Sequence, residues 1–261
     1  MKVALITLSR EGARICERLT TRIPQAAVFV HESVGQVSGA KAFSSIMDLT
    51  AEVFSGRYDG LVYVAPCGAV VRAIAPNIQH KTTDPAVVVV DTGGRYAVSL
   101  LSGHEGGAND LAVTVSNILG AEPVISTTTE ALKTIIVGVG CRRGTKADVI
   151  VEAVKSGLDR AGVTLDDVRL IASADIKSDE AGLLQAAREL GVPLRFVASE
   201  EIRSSAKAFG RSDFVKEKVN LPAVAEPAAL LAGRRTSLLL PKTVINGVTV
   251  AVARESCLWS E

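Results

Sequence analysis

The segment Leu101-Ser-Gly-His-Glu-Gly-Gly-Ala-Asn-Asp110 gathers residue types suited to hydrolytic chemistry. His104 is one of three histidines in the chain, and a neutral imidazole is the common general base for activating water. Gly103, Gly106 and Gly107 leave backbone N–H groups open to close approach. A helix start just beyond them would favour an anion or a developing oxyanion. Glu105 and Asn109 each have two readings. Ser102 and Glu105 are spaced as a capping box, so Glu105 either satisfies backbone donors or enters the chemistry. Asn109 either orients a substrate carbonyl or caps the helix.

A second cluster is Gly138-Val-Gly-Cys-Arg-Arg-Gly-Thr145 with Lys146. Arg142, Arg143 and Lys146 stand beside an expected helix start, where close cations repel unless an anion joins them. Guanidinium forks match carboxylates, so a carboxylate clamp is the functional reading. The plain reading is a solvated basic corner, with Thr145 as N-cap and Asp148 at the third helical position. Cys141 is either a thiol with a depressed pKa or, more ordinarily, a small buried hydrophobe. Lys177 lies in Asp175-Ile-Lys-Ser-Asp-Glu180, ahead of an N-cap at Ser178 or Asp179. A further Gly turn, Pro66-Cys-Gly-Ala-Val-Val-Arg72, and the segment His80-Lys-Thr-Thr-Asp84 add Arg72, Lys81 and Asp84. An exposed charge is the default for each of these three.

Several other chemistries find no footing. There is no G-x-S-x-G elbow and no H-E-x-x-H pair. The glycines at 138, 140 and 144 resemble a dinucleotide fingerprint, but the second interval is one residue too long. Thr145 separates Lys146 from Gly144, so the run is not a P-loop either. Lys and Arg number 29 against 28 Asp and Glu, a net charge of +1, and aromatics are 4%. Neither a nucleic-acid field nor a base-stacking platform follows from that balance. The cysteines at 16, 67, 141 and 257 match no zinc or disulfide spacing, so reduced thiols are expected. The apolar run Val3–Leu8 is too short for a signal peptide, and no run nears the roughly 18 residues that span a bilayer. A cytoplasmic protein without a membrane anchor is the expectation.

The elements that must hold these loops alternate in type. Strands are expected at Val3–Leu8, Ala26–Val30 and Gly60–Ala65, with helices at Gly12–Thr20 and Ala40–Phe54. Ala86–Asp91 and Tyr96–Leu100 read as a hairpin around Thr92-Gly93-Gly94-Arg95. Ser102–Leu119 reads as a helix stopped by Gly120, followed by a strand at Glu122–Ser126. After a polar seam at Thr127–Lys133 the pattern restarts. Strands are expected at Thr134–Val139, Val168–Ala172, Leu194–Val197, Ser237–Leu240 and Thr249–Ala253, the last two around Asn246-Gly247. Helices are expected at Thr145–Ala161, Asp179–Leu190 and Pro227–Ala232, with Pro227 at the first position. Residues 204–221 are polar with no clear period. The pattern predicts two α/β domains with mixed, largely parallel sheets, 1–133 and 134–261. Ligands of such sheets bind beyond the carboxyl ends of strands, so the loops are expected to converge on a cleft with two walls.

Three N-terminal motifs resemble the cobalt-precorrin-5A hydrolase family (CbiG). They are Ala65-Pro-Cys-Gly-Ala-Val-Val-Arg72, Lys81-Thr-Thr-Asp-Pro-Ala-Val-Val-Val-Val-Asp91 and Ser99-Leu-Leu-Ser-Gly-His-Glu-Gly-Gly-Ala-Asn109, continued by Pro123–Thr129. Gly138–Thr145, Ala174–Glu180, Val224-Ala-Glu-Pro-Ala-Ala229 and Pro241-Lys242 are similar to the family's C-terminal domain, itself similar to CobE-type proteins. Thr127–Glu130 leads almost directly to Gly138, where many members carry an additional middle segment, so the chain resembles a compact form. The resemblance implies cobalt-precorrin-5A as substrate, opening of its δ-lactone and loss of two carbons as acetaldehyde. Cobalt would arrive in the substrate, and no metal or cofactor bound by the protein is implied. A homodimer or contacts with other enzymes of the pathway stay open. A ring bearing acetate and propionate groups needs cations, which Arg72, Lys81, Arg142, Arg143, Lys146, Lys177 and Lys242 supply. His104 would be the base, with Gly106 and Gly107 N–H groups as oxyanion donors. The rival reading is a non-catalytic protein that binds or passes on a tetrapyrrole.

Overall fold

Ala86-Val-Val-Val-Val90 and Gly60-Leu-Val-Tyr-Val64 have no polar alternation, as strands covered on both faces require. In a computed structural model describing residues 1–205 and 224–257, both are central strands with every residue buried. The chain divides into two units, Met1–Thr127 and Thr128–Glu261. The first unit has strands β1 (Val3–Thr7), β2 (Ala27–His31), β3 (Ala40–Phe43), β4 (Gly60–Val64), β5 (Ala86–Val90), β6 (Tyr96–Leu101) and β7 (Glu122–Val124). They stand in the order β3-β2-β1-β4-β5-β6-β7. All neighbours pair in parallel except β5 and β6.

Helices α1 (Arg10–Thr20) and α4 (Ala108–Leu119) cover one face through Cys16, Leu19, Leu111 and Val115. Helices α2 (Ile46–Phe54) and α3 (Cys67–Ile74) cover the other through Leu49, Val53, Val70 and Ile74. Burial of one such large apolar side chain contributes about 1.5–3 kcal/mol.

The second unit begins with the short helix α5 (Thr128–Ala131) and builds on β8 (Ile135–Gly140), β9 (Val168–Ala174), β10 (Leu194–Val197), β11 (Thr236–Ile245) and β12 (Val248–Glu255). Their order is β10-β9-β8-β12-β11, with β12 antiparallel to both neighbours. Helices α6 (Ala147–Ala161) and α7 (Ala181–Leu190) pack on one face, α8 (Ser199–Ser204) and α9 (Ala225–Leu231) on the other. Asn246 and Gly247 both take positive φ, 51° and 81°, the geometry of a tight two-residue hairpin. No helix among the described residues is long and apolar enough to cross a membrane. Residues 206–223, most of the polar aperiodic stretch, lie outside the described residues.

Several expected boundaries move. Ala40–Phe43 is a strand rather than the first turn of a helix, and Ser45 caps α2 by accepting Asp48 N–H. The turn at Pro66 opens directly into α3, whose buried Val70, Ala73 and Ile74 have helical spacing. Helix α4 starts at Ala108, so Ser102–Gly107 is loop. Lys146, not Thr145, caps α6, and Glu180, not Ser178 or Asp179, caps α7. Helix α9 begins at Ala225, which puts Pro227 at its third position.

Candidate functional site

The reversal of β6 decides where the His104 loop lies. Because β6 runs against β5, residues 102–107 emerge where β1, β4 and β5 begin. Gly106 accordingly sits beside the Asp84 carbonyl, ahead of β5, and Gly107 beside the Met1 side chain. The turn at Pro66–Gly68 instead leaves the carboxyl end of β4. Convergence of all the N-terminal loops at strand carboxyl ends therefore fails: Arg72, whose Nη1 donates to Gly68 O at 3.0 Å, belongs to the opposite sheet edge from His104.

At the His104 edge, two loops meet. Lys81 Nζ donates to Glu105 Oε1 at 2.6 Å, and both side chains are accessible. That hydrogen bond holds the Glu105 carboxyl below its ordinary range, with a smaller contribution from His104. The shift is downward, so the tie is complete at neutral pH and is lost as acid protonates Glu105. His104, next to Glu105 in the same loop, is exposed. Asp84 is not an exposed charge. It is buried, and its two oxygens accept the Gln79 N–H at 3.1 Å each, shaping the loop that presents Lys81.

Beneath these groups the loop is closed by its own backbone. Gly106 N and Ala108 N donate to Ser102 O at 3.1 and 3.2 Å, and Asn109 N donates to Gly103 O at 2.9 Å. The expected capping box is therefore absent, and the first two helical amides are satisfied by carbonyls. The Gly106 N–H is committed, so of the two expected donors only the Gly107 N–H stays a candidate. Ser102 itself went unnoticed in the sequence except as a cap. It is buried, holds φ +56°, and its Oγ has no partner among the described residues. A left-handed residue with a Cβ costs about 1–2 kcal/mol. An unsatisfied buried hydroxyl costs about 1–3 kcal/mol more.

Asn109 is buried in a network within the first unit. Its Oδ1 accepts from Ser99 Oγ at 2.8 Å and its Nδ2 donates to Thr127 Oγ1 at 3.0 Å. Both ends of the amide are thus occupied, a structural duty rather than a cap. Asn109→Ala is expected to cost about 1–3 kcal/mol by stranding two hydroxyls. An unchanged urea midpoint would return Asn109 to a substrate-facing role.

In the second unit, the loops after β8 and β9 leave one sheet edge together. Arg143 Nη1 and Nη2 meet Asp179 Oδ2 and Oδ1 at 3.1 and 3.4 Å. Gly144 N donates to the buried Glu180 at 2.9 Å, and Thr145 Oγ1 donates to Arg142 O at 2.7 Å. The anion that the basic corner requires is therefore partly the protein's own. Lys146 and Lys177 make no ion pair among the described residues. A cavity of about 410 Å³ opens at the starts of α6 and α7, but Asp148, Glu180 and Glu189 line it beside Lys146. That lining disfavours a carboxylate inside the cavity.

Burial pushes the Cys141 thiol up, opposed by Lys177, which favours the small half-buried hydrophobe over the activated thiol. Cys16 is pushed up to about 12 by burial as well. Alkylation with iodoacetamide at neutral pH should label exposed Cys67 before either of them; preferential labelling of Cys141 would contradict this account.

Two features of the second unit have plain packing explanations. A Cβ on Gly138 would stand 1.9 Å from Ala225 O, so this glycine admits the first turn of α9 rather than a pyrophosphate. Lys242 N donates to the buried Glu226 Oε1 at 2.8 Å, tying β11 to that same turn. Glu226 was missed as a single residue because its partner is a backbone amide 16 positions away.

Comparison with known proteins adds the following. The family model for the Cobalamin synthesis G N-terminal region matches residues 48–130, and that for the Cobalamin synthesis G C-terminus matches 135–253. A cobalt-precorrin-5A hydrolase of Priestia megaterium is 24% identical, with 96% of this chain and 94% of that protein covered. Its counterpart from Salmonella typhimurium is 25% identical, covering 96% and 97%. The first alignment runs over 352 residues, more than the 261 of this chain, so that relative carries residues within the matched span that this chain lacks. Protein CobE of Sinorhizobium sp is 34% identical over 51% of this chain and 88% of its own length. With both family models matched in order along one chain, this protein belongs to the CbiG family of cobalamin synthesis.

Proposed function

We propose that the chain is a cobalt-precorrin-5A hydrolase of the anaerobic route to cobalamin. It opens the δ-lactone of the ring and releases acetaldehyde, giving cobalt-precorrin-5B. The observation that carries this reading is the match to two proteins of that name over 96% of the chain.

The residues fit the chemistry. A lactone is an ester, and its hydrolysis needs a positioned base and a donor for the developing oxyanion. His104, exposed in its loop, takes a proton from water, and Gly107 offers a backbone donor close by. Lys81 and Glu105 hold its loop to the loop of residue 81. Glu105 is kept ionised by Lys81, so it does not serve as the acid. The second unit carries cations suited to the carboxylates of such a ring, Lys146 and Lys177 among them. Cobalt belongs to the substrate.

The test is incubation of purified protein with cobalt-precorrin-5A, with acetaldehyde measured in solution. Release at catalytic rates supports the proposal. Tight binding without release would favour a protein that carries the intermediate.

A further inference from the structure

Ser102 combines two unfavourable features that its structural surroundings do not require. Its carbonyl accepts from Gly106 N and Ala108 N, and any residue has a carbonyl. Glycine would hold φ +56° without the penalty of a Cβ, and alanine would remove the orphaned Oγ. The hydroxyl does not cap α4, because the Ser102 and Gly103 carbonyls take the first two helical amides. Costs without structural return concentrate where function constrains the choice of residue. This one lies two positions from His104 and within the loop tied by Lys81–Glu105. Gly106 lies against Ser102: a Cβ on Gly106 would stand 2.5 Å from Ser102 Cβ. Glycines at 103, 106 and 107 give the loop backbone freedom to rotate.

Resting on the hydrolase reading above, we propose that Ser102 Oγ is a catalytic hydrogen-bond donor. When the loop shifts, it donates to the lactone carbonyl oxygen as negative charge builds there. No bond to Ser102 forms or breaks; the proton stays on Oγ.

The test compares the full chain with Ser102→Ala and Ser102→Gly, reading kcat, KM and the thermal midpoint with cobalt-precorrin-5A. Loss of one oxyanion donor is expected to lower kcat by about 10²-fold in both variants with KM little changed. Both should unfold at or above the temperature of the parent, which a structural role for the hydroxyl does not allow. Parental kcat in either variant overturns the proposal, as does a loss of rate that tracks a loss of stability. A parent chain that releases no acetaldehyde overturns the hydrolase reading and this assignment with it. A parental rate in Ser102→Ala within an active protein overturns this assignment alone.

Discussion

Replacing His104 with alanine is expected to lower acetaldehyde release by about 10²–10⁴-fold, the usual contribution of a positioned general base. The fold should not change. His104 is exposed, sits in a loop, and its neighbours Lys81 and Glu105 hold each other without it. The thermal midpoint of His104→Ala should therefore match the parent, which separates lost chemistry from lost structure. Because the base acts in the chemical step, kcat should carry the change and KM should move little. Near-parental turnover would remove His104 from the mechanism and leave the family assignment standing.

Gly138→Ala should have the largest effect on stability. The new Cβ would meet Ala225 O at 1.9 Å and the Ala229 Cβ at 2.9 Å, so α9 must move away from β8. That helix supplies Ala225, Ala228, Ala229 and Leu230 to the core on its side of the sheet. Overpacking of this kind costs about 1–3 kcal/mol, and a backbone carbonyl in the way places Gly138→Ala at or above the top of that range. Gly144→Ala is the contrast. Nothing lies within 4 Å of its Cβ position, and the cost is that of φ +75° alone, about 1–2 kcal/mol. Denaturant midpoints should rank Gly138→Ala well below Gly144→Ala. Equal midpoints would mean that close packing of α9 on β8 does not explain the glycine at 138.

The alternation of strands and helices was legible because buried parallel strands leave unbroken apolar runs such as Val87–Val90. Helix ends were legible where glycine takes the left-handed conformation, at Gly120, Gly162 and Gly191. Strand β3 was not, because Ala-Lys-Ala-Phe has no β-branched residue and runs into the α2 cap at Ser45, so the Ser38-Gly39 turn before it reads equally well as a lead into a helix. The hairpin of β5 and β6 was legible from its Gly-Gly turn. Its consequence was not: one reversed strand carries the His104 loop to the sheet edge opposite Arg72.

The candidate residues themselves stood out by type, but their partners did not. Lys81 meets Glu105 across 24 positions and Arg143 meets Asp179 across 36, separations that only the sheet topology closes. Serine at 102 reads as an ordinary helix cap in sequence. Its left-handed φ and orphaned hydroxyl exist only in three dimensions. The glycine at 138 contributed to the likeness of a nucleotide turn because close approach of a backbone demands glycine whether the visitor is a pyrophosphate or a helix.

The most direct measurement is the mass of the tetrapyrrole recovered after incubation of the purified chain with cobalt-precorrin-5A. The account predicts a product that has taken up water and shed acetaldehyde, with free acetaldehyde in equal amount. Recovery of the substrate with its lactone closed, after prolonged incubation with folded protein, would contradict it.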